Sequence, residues 1–177
     1  MRGVAPLVIV VGAMAGALLT ASAEAADDHR RLAVLNQIER YQAETWRWQR
    51  LMLKPKTPAR ASAWRSSSSV YRAWALRVWH RRARLAREQA KRPPFLRAWL
   101  CIHRYEGPWH ANTGNGYYGG LQMDLAFQRR YAPGLLRRKG TADRWTPFEQ
   151  VWVAVRAHRS GRGFHPWART ARRCGLI

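Results

Sequence analysis

Between Gly107 and Gly120 the chain holds five glycines and one proline in fourteen residues. No helix runs through such a stretch, because each glycine in a helix interior costs about 1 kcal/mol against alanine and each proline about 3. It reads as a loop and divides the chain beyond Arg97 into a helix before it and short helices after it. Arg97 to Tyr105 reads as the first helix, carrying Cys101 and leading into Glu106. Leu121 to Tyr131 reads as the next, ended by Pro133-Gly134, with a short turn over Leu135 to Gly140. At Thr146-Pro147-Phe148-Glu149 three helix-start signals coincide. Threonine suits the N-cap, proline the first helical position, and glutamate completes a capping box. That helix is expected to run to about His158, with Trp152 and Val155 inward, and Ser160-Gly161-Arg162-Gly163 ends it. No alternating strand pattern stands out, and the only strand pairing expected is a short hairpin at Tyr117-Tyr118. The fold class is mostly α.

Upstream of Arg97 the texture differs. Residues 26 to 53 read as an amphipathic helix with Leu32, Leu35, Ile38 and Gln42 on one face and Trp46 a turn further on. Lys54-Pro55-Lys56-Thr57-Pro58 breaks it. Four serines, Ser66 to Ser69, form a polar linker whose last member suits the cap of a second helix over residues 70 to 91. There Val70, Trp74 and Val78 recur every four positions, Trp79 and Leu85 widen the stripe, and Arg72, Arg77, Arg81, Arg82, Arg84 and Arg87 supply the charge. Pro93-Pro94 stops it. The pair reads as a basic helical hairpin, serving either as a wall- or membrane-binding arm or as a spacer.

The chain thus divides into three regions: a signal peptide at residues 1–25, a basic Trp/Arg-rich helical region with linker at 26–96, and a domain at 97–177. The first rests on Arg2, the apolar run Val4 to Leu19, and the small-residue sites Ala21-Ser22-Ala23 and Ala23-Glu24-Ala25, with cleavage expected near Ala23 or Ala25. The apolar run is short beside the roughly 20 residues of a spanning helix. The chain is therefore expected to be secreted and associated with the cell wall.

Export sets the reading of charge and of cysteine. The net charge of +22, from 32 Lys and Arg against 10 Asp and Glu, attracts polyanions. Outside the cytoplasm these are anionic cell-wall polymers or a membrane surface, and nucleic acid is disfavoured as the natural partner. The two cysteines, Cys101 and Cys174, are expected to pair in an oxidising compartment. Closing a loop of about 70 residues would add up to roughly 4 kcal/mol on the chain-entropy model.

Glu106 stands out where acids are scarce. Cleaving a glycosidic bond requires a proton for the leaving oxygen, and a carboxylic acid in an apolar setting supplies it at neutral pH. Trp99, Leu100, Ile102, Tyr105, Trp109 and Tyr118 stand close to Glu106 in sequence. Aromatic rings suit sugar faces, and amides such as Asn112, Asn115 and Gln122 suit sugar hydroxyls and acetamido groups. The bland alternative for Glu106 is a surface or capping residue.

The eleven residues Asn112-Thr113-Gly114-Asn115-Gly116-Tyr117-Tyr118-Gly119-Gly120-Leu121-Gln122 resemble the signature of the resuscitation-promoting factor catalytic domain of actinobacteria. That family is transglycosylase-like with a lysozyme-like fold, and the resemblance covers about residues 97 to 177. It implies a catalytic role for Glu106, and it implies a disulfide between Cys101 and Cys174. The sequence departs from the family pattern near the acid. The usual cysteine directly precedes the glutamate, followed by Ser-Gly-Gly and tryptophan. Here Cys101 lies five positions upstream, Gly107-Pro108-Trp109 comes next after the acid, and the spacing to Asn112 is two residues shorter.

Hydrolysis by a carboxylate pair needs a second acid. Asp124 is the best candidate, with an ion pair to arginine as its competing role, whereas Asp143 and Glu149 read as structural. A lytic transglycosylase needs one carboxylate only. Trp109, Asn112, Asn115, Tyr117, Tyr118, Gln122 and Asp124 are the expected substrate-binding residues. His103, His110, His158 and His165 show no metal-ligand spacing and read as surface or capping residues, so no metal or cofactor is expected. Trp145, Trp152 and Trp167 read as core. The expected function is a secreted enzyme cleaving the glycan β-1,4 linkage of peptidoglycan. The alternatives are a non-catalytic wall-binding or signalling module and a cationic membrane-active protein. The oligomeric state has no signature in the sequence.

Overall fold

The computed structural model describes residues 12–59 and 66–177, with side chains in the first helix described from Glu24 onward. Residues 1–11 of the expected signal peptide lie outside the described residues, as does the middle of the expected linker, whereas residues 12–25 continue into the first helix rather than ending before it. Among the described residues no helix is long and apolar enough to cross a membrane.

The elements in order are α1 (Gly12–Leu51), α2 (Ser69–Ala90), α3 (Leu96–Glu106), β1 (Tyr117–Tyr118), β2 (Met123–Asp124), α4 (Leu125–Tyr131), α5 (Pro133–Lys139), α6 (Pro147–Ala157) and α7 (Ala168–Arg173). Short 3-10 turns at Ala142–Arg144 and His165–Trp167 and a wide turn at His158–Arg162 link the later helices. The fold is mostly α with one antiparallel hairpin, in which Tyr117 pairs with Asp124 and Tyr118 with Met123. The chain forms two compact units, one from residues 1–43 and 58–82 and the other from 44–57 and 83–177.

In the first unit the buried side chains are Leu35, Ile38, Arg72, Ala75 and Trp79. The rings of Tyr41 on α1 and His80 on α2 lie 4.9 Å apart. The buried face of α2 differs from the one its large apolar residues suggest. Val70 is 77% exposed, and Trp74 and Leu85 are also exposed, whereas Ala75, Trp79, Ala83, Ala86 and Ala90 are covered. Alanines bury completely when a neighbour approaches closely, so a small-residue stripe at helical spacing set the inward face. The N-cap is Ser68, one residue before the expected Ser69: its Oγ accepts from the N–H of Tyr71 at 3.2 Å.

The second unit is built around α6. From Gln150 to Val155 every residue is buried, so this helix is apolar nearly all round and sits centrally. Its capping box is present as expected: Thr146 Oγ1 accepts from the N–H of Glu149 and the Glu149 carboxylate accepts from the N–H of Thr146. Trp99, Ile102, Leu121, Met123, Trp145 and Trp167 join its Trp152 in one cluster with Leu51, Met52 and Ala90. Trp152 donates its indole N–H to Ala90 O at 2.7 Å. Arg156 donates to Tyr131 O, Arg50 O and Leu51 O, so one guanidinium closes the open carbonyls at the end of α1. Burial pushes the proton affinity of that guanidinium down from its ordinary value.

Two expected boundaries move. Pro133 begins a helix rather than only ending one, because it occupies the first helical position of α5, where its missing N–H costs nothing. The segment from Leu135 is thus helical to Lys139, not a turn. The residues Leu121 to Asp124 are not helical, since β2 claims the last two and Asp124 caps α4.

Candidate active site

Glu106 is the last residue of α3, and Gly107 turns the chain away with its N–H on His103 O. The carboxylate is held from the far end of the sequence. Cys101, on the same helix, is bonded to Cys174 with Cα atoms 6.1 Å apart, as expected. That bond lays α7 against α3. Thr170, one turn before Cys174, then donates its hydroxyl to Glu106 Oε1 at 2.7 Å. The same hydroxyl lies 3.0 Å from Trp167 O, a carbonyl that only accepts. Among the described residues Glu106 forms no ion pair.

Glu106 opens into a cavity of about 420 Å³ walled by Tyr105, Pro166, Trp167, Arg169, Thr170 and Arg173. A second cavity of about 320 Å³ shares Pro166 and Trp167 with the first. It is lined by Tyr117, Gln122, Asp124, Phe127, Arg130 and Arg162, among others. The two hollows adjoin at Pro166 and Trp167, which line both. Trp167 is fixed there by its indole N–H on Leu121 O at 2.7 Å.

The glycine-rich loop is positioned by a buried polar network. Gly119 and Gly120 thread between two side chains. A Cβ at Gly119 would stand 2.5 Å from Gln150 Oε1, and one at Gly120 2.5 Å from His103 Nδ1. Gln150 accepts from the N–H of Gly120 at 2.8 Å and donates to Trp109 O at 2.8 Å. Gln128, also buried, accepts from the N–H of Ala142 and donates to Met123 O. His103 stacks on Trp109 with ring centroids 3.8 Å apart and sets its Nδ1 3.1 Å from Gly120 O. A carbonyl can only accept, so Nδ1 carries the proton. His103 is therefore a buttress of the loop rather than the surface or capping residue the sequence suggested.

The turn after Gly119 ends at Gln122, whose φ of 46° lies in the left-handed region that glutamine seldom adopts. Its amide donates to Gly119 O at 2.9 Å and sits beside the backbone of Gly107, directly after Glu106.

Of the expected substrate residues, Tyr117, Gln122 and Asp124 line the second hollow. Tyr117 is exposed. Asp124 caps α4, its Oδ1 accepting from the N–H of Phe127 at 2.6 Å, and it forms no ion pair among the described residues. Trp109 has a ring face covered by His103, and Tyr118 packs against the core. Asn112 bridges to Tyr118, and Asn115 Oδ1 accepts from the N–H of Tyr117 at 3.0 Å, so both shape the loop itself. Thr170, Arg130, Arg162, Arg169 and Arg173 were not anticipated from sequence. For Thr170, Arg169 and Arg173 the advance signal is the disulfide, which aligns the turn before Cys174 with the turn after Cys101; Arg130 and Arg162 had none.

Among the described residues no three His, Cys, Asp or Glu side chains come together as metal ligands would. With this geometry in place, the comparison with known families gives one match: residues 102–170 match the transglycosylase-like domain. The match runs from α3 through Glu106, the glycine loop and α6 to Thr170. The similarity of this segment to a transglycosylase-like domain supports glycan cleavage at a coarse level, with peptidoglycan as the implied substrate.

Proposed function

We propose that this chain is an exported peptidoglycan-cleaving enzyme in which Glu106 is the single catalytic acid, as in the resuscitation-promoting factors its glycine-rich loop resembles. The observation that carries the reading is the setting of Glu106. It stands at the end of a helix beside an open hollow, without an ion-pair partner among the described residues, with one carboxyl oxygen held by Thr170. Thr170 fixes Oε1 and leaves Oε2 to carry a proton to the substrate.

The chemistry rests on one carboxyl group. Glu106 protonates the leaving glycosidic oxygen as the bond from C1 breaks. The carboxylate then takes the proton of the sugar's own C6 hydroxyl as O6 closes on C1, which regenerates the acid and leaves a 1,6-anhydro end. No second carboxylate lines the hollow that holds Glu106, and the nearest candidate from sequence, Asp124, is engaged in capping α4. Both facts favour this route over a carboxylate pair that activates water. Tyr117 and Gln122 are placed to meet the sugar rings along the groove. The disulfide supports an oxidising compartment, and the basic helices would hold the enzyme near an anionic wall.

The test is mass spectrometry of purified peptidoglycan digested by the protein and by Glu106→Gln. Anhydro-muropeptides from the unsubstituted protein alone are expected. Reducing ends in their place would mean hydrolysis. No product from either protein, with wall binding retained, would overturn the enzymatic reading in favour of a wall-binding module.

A further inference from the structure

Two pairs of arginines line the two hollows that adjoin at Pro166 and Trp167. Arg169 and Arg173, four residues apart on α7, wall the hollow that contains Glu106. Arg130 from α4 and Arg162 from the wide turn after α6 wall the other. All four are exposed, and none meets a carboxylate among the described residues. Arg173 lies over the ring of Tyr105 at 5.2 Å and Arg130 over the ring of Tyr131 at 5.6 Å. Stacking of this kind orients a guanidinium plane without using its N–H edge, which stays free to grip a planar anion with two parallel hydrogen bonds. Arg130 and Arg173 are held in this way, and a carboxylate would meet their charge as well as their N–H groups, which a sugar hydroxyl does not. The two acids bordering the groove are both engaged, Glu106 by Thr170 and Asp124 by the N–H of Phe127.

We propose that the groove selects glycan strands that carry carboxylates along their length, the Arg130/Arg162 pair and the Arg169/Arg173 pair reading those carboxylates on the two sides of Pro166-Trp167. In the peptidoglycan already proposed as substrate those carboxylates sit on lactyl ethers of alternate sugars or on the attached peptides, and the new assignment is that these four arginines set which strands bind. This rests on the proposed glycan-cleaving role and adds to it what distinguishes one strand from another. Arginine recognises by geometry as well as by charge, so the preference belongs to these four side chains and not to the net charge of the whole chain.

The test is a binding comparison on matched strands with the Glu106→Gln protein, so that recognition is read without cleavage. Peptidoglycan strands stripped of their peptides carry one lactyl carboxylate per disaccharide. Converting those carboxylates to methylamides with a carbodiimide removes the charge and keeps the sugar chain. The same conversion is made on strands that retain their peptides. We expect binding about tenfold tighter to the carboxylate form in at least one of the two strand types, weakening with added salt. The type that shows it identifies lactyl or peptide carboxylates as the ligand. Adding Arg130→Gln with Arg162→Gln, or Arg169→Gln with Arg173→Gln, is expected to shrink that ratio, and all four together to abolish it. Circular dichroism checks that these exposed substitutions leave the fold intact. Equal binding to charged and amidated strands of both types overturns the proposal. So does a preference that survives all four substitutions, which would move recognition to the basic surface elsewhere. A protein that prefers the carboxylate strands yet, with Glu106 restored, cuts neither would sink the proposed enzymatic role and leave this selectivity standing.

Discussion

The hydroxyl of Thr170 lies within hydrogen-bonding distance of both Glu106 Oε1, at 2.7 Å, and Trp167 O, at 3.0 Å. A hydroxyl has one proton to give. When it gives that proton to Glu106, the carboxyl group is fixed in orientation by a residue 64 positions away in sequence. On the proposed mechanism Thr170 is a positioning residue, working through Glu106.

Thr170→Val keeps the shape of the side chain and removes the hydrogen bond. A hydrogen bond to a charged group contributes about 1.5–3 kcal/mol. If about half of that is expressed in the transition state, kcat on peptidoglycan falls roughly tenfold, with KM little changed. Thr170→Ser restores the donor and should recover most of the rate. The check is steady-state kinetics on both variants beside their melting temperatures. A lower melting temperature with kcat unchanged would mean that Thr170 only packs.

The glycine pair permits a sharper contrast. Gly116 has a φ of 84° and open space where a Cβ would be, whereas Gly120 has ordinary backbone but a Cβ there would stand 2.5 Å from His103 Nδ1 and 2.7 Å from Trp109 Cε3. Gly116→Ala therefore costs only the left-handed strain, roughly 1 kcal/mol. Gly120→Ala must separate the His103–Trp109 stack from the loop, and overpacking of that kind costs about 1–3 kcal/mol. The prediction is that Gly120→Ala is the more destabilising in urea unfolding and also lowers activity, because the displaced loop carries Gln122. Equal stability losses would mean that the His103–Trp109 stack yields to a methyl group and that the close approach is not what requires glycine at position 120.

How much could be read in advance depends on the range of each interaction. The capping box of α6 spans four adjacent residues and is fully local, so sequence alone locates that helix start. The disulfide was expected from the two cysteines, and the hairpin from Tyr117-Tyr118. Among four consecutive serines nothing local separates Ser68 from Ser69, and the cap shifted by one. On α2 the large apolar residues outweighed the alanines on paper, yet close packing favours small residues and turned the helix to cover Ala75, Ala83, Ala86 and Ala90. Pro133 suits both the end of one helix and the start of another, and it serves as both. Gln150 and His103 bond to Gly120 across 30 and 17 residues respectively, and a polar residue gives no sign in sequence that it will be buried and fully partnered. Thr170 belongs to the same class, since only the register set by the disulfide brings it to Glu106.

The last prediction concerns pH. Burial of Glu149 alone would raise the proton affinity of its carboxyl, but hydrogen bonds from Lys139 and from the N–H of Thr146 outweigh it and hold the group below its ordinary value. Lys139 Nζ sits 2.7 Å from Glu149 Oε1, and the Glu149 side chain is 15% exposed. A carboxylate depressed in the folded state stabilises the fold fully above the ordinary carboxylate range, and that contribution drains away as pH falls through the group's own lower value. Glu149→Gln keeps a capping side chain but removes the titration. At neutral pH the variant is expected to be less stable by about 1 kcal/mol, the scale of one cap or one partly covered ion pair. The difference should begin to shrink as pH falls into the ordinary glutamate range and close once pH is below the lowered value of Glu149 in the fold. Chemical unfolding of both proteins across that range checks it: curves that converge on acidification support the assignment, and a gap that is constant with pH would mean that the loss comes from packing and not from charge.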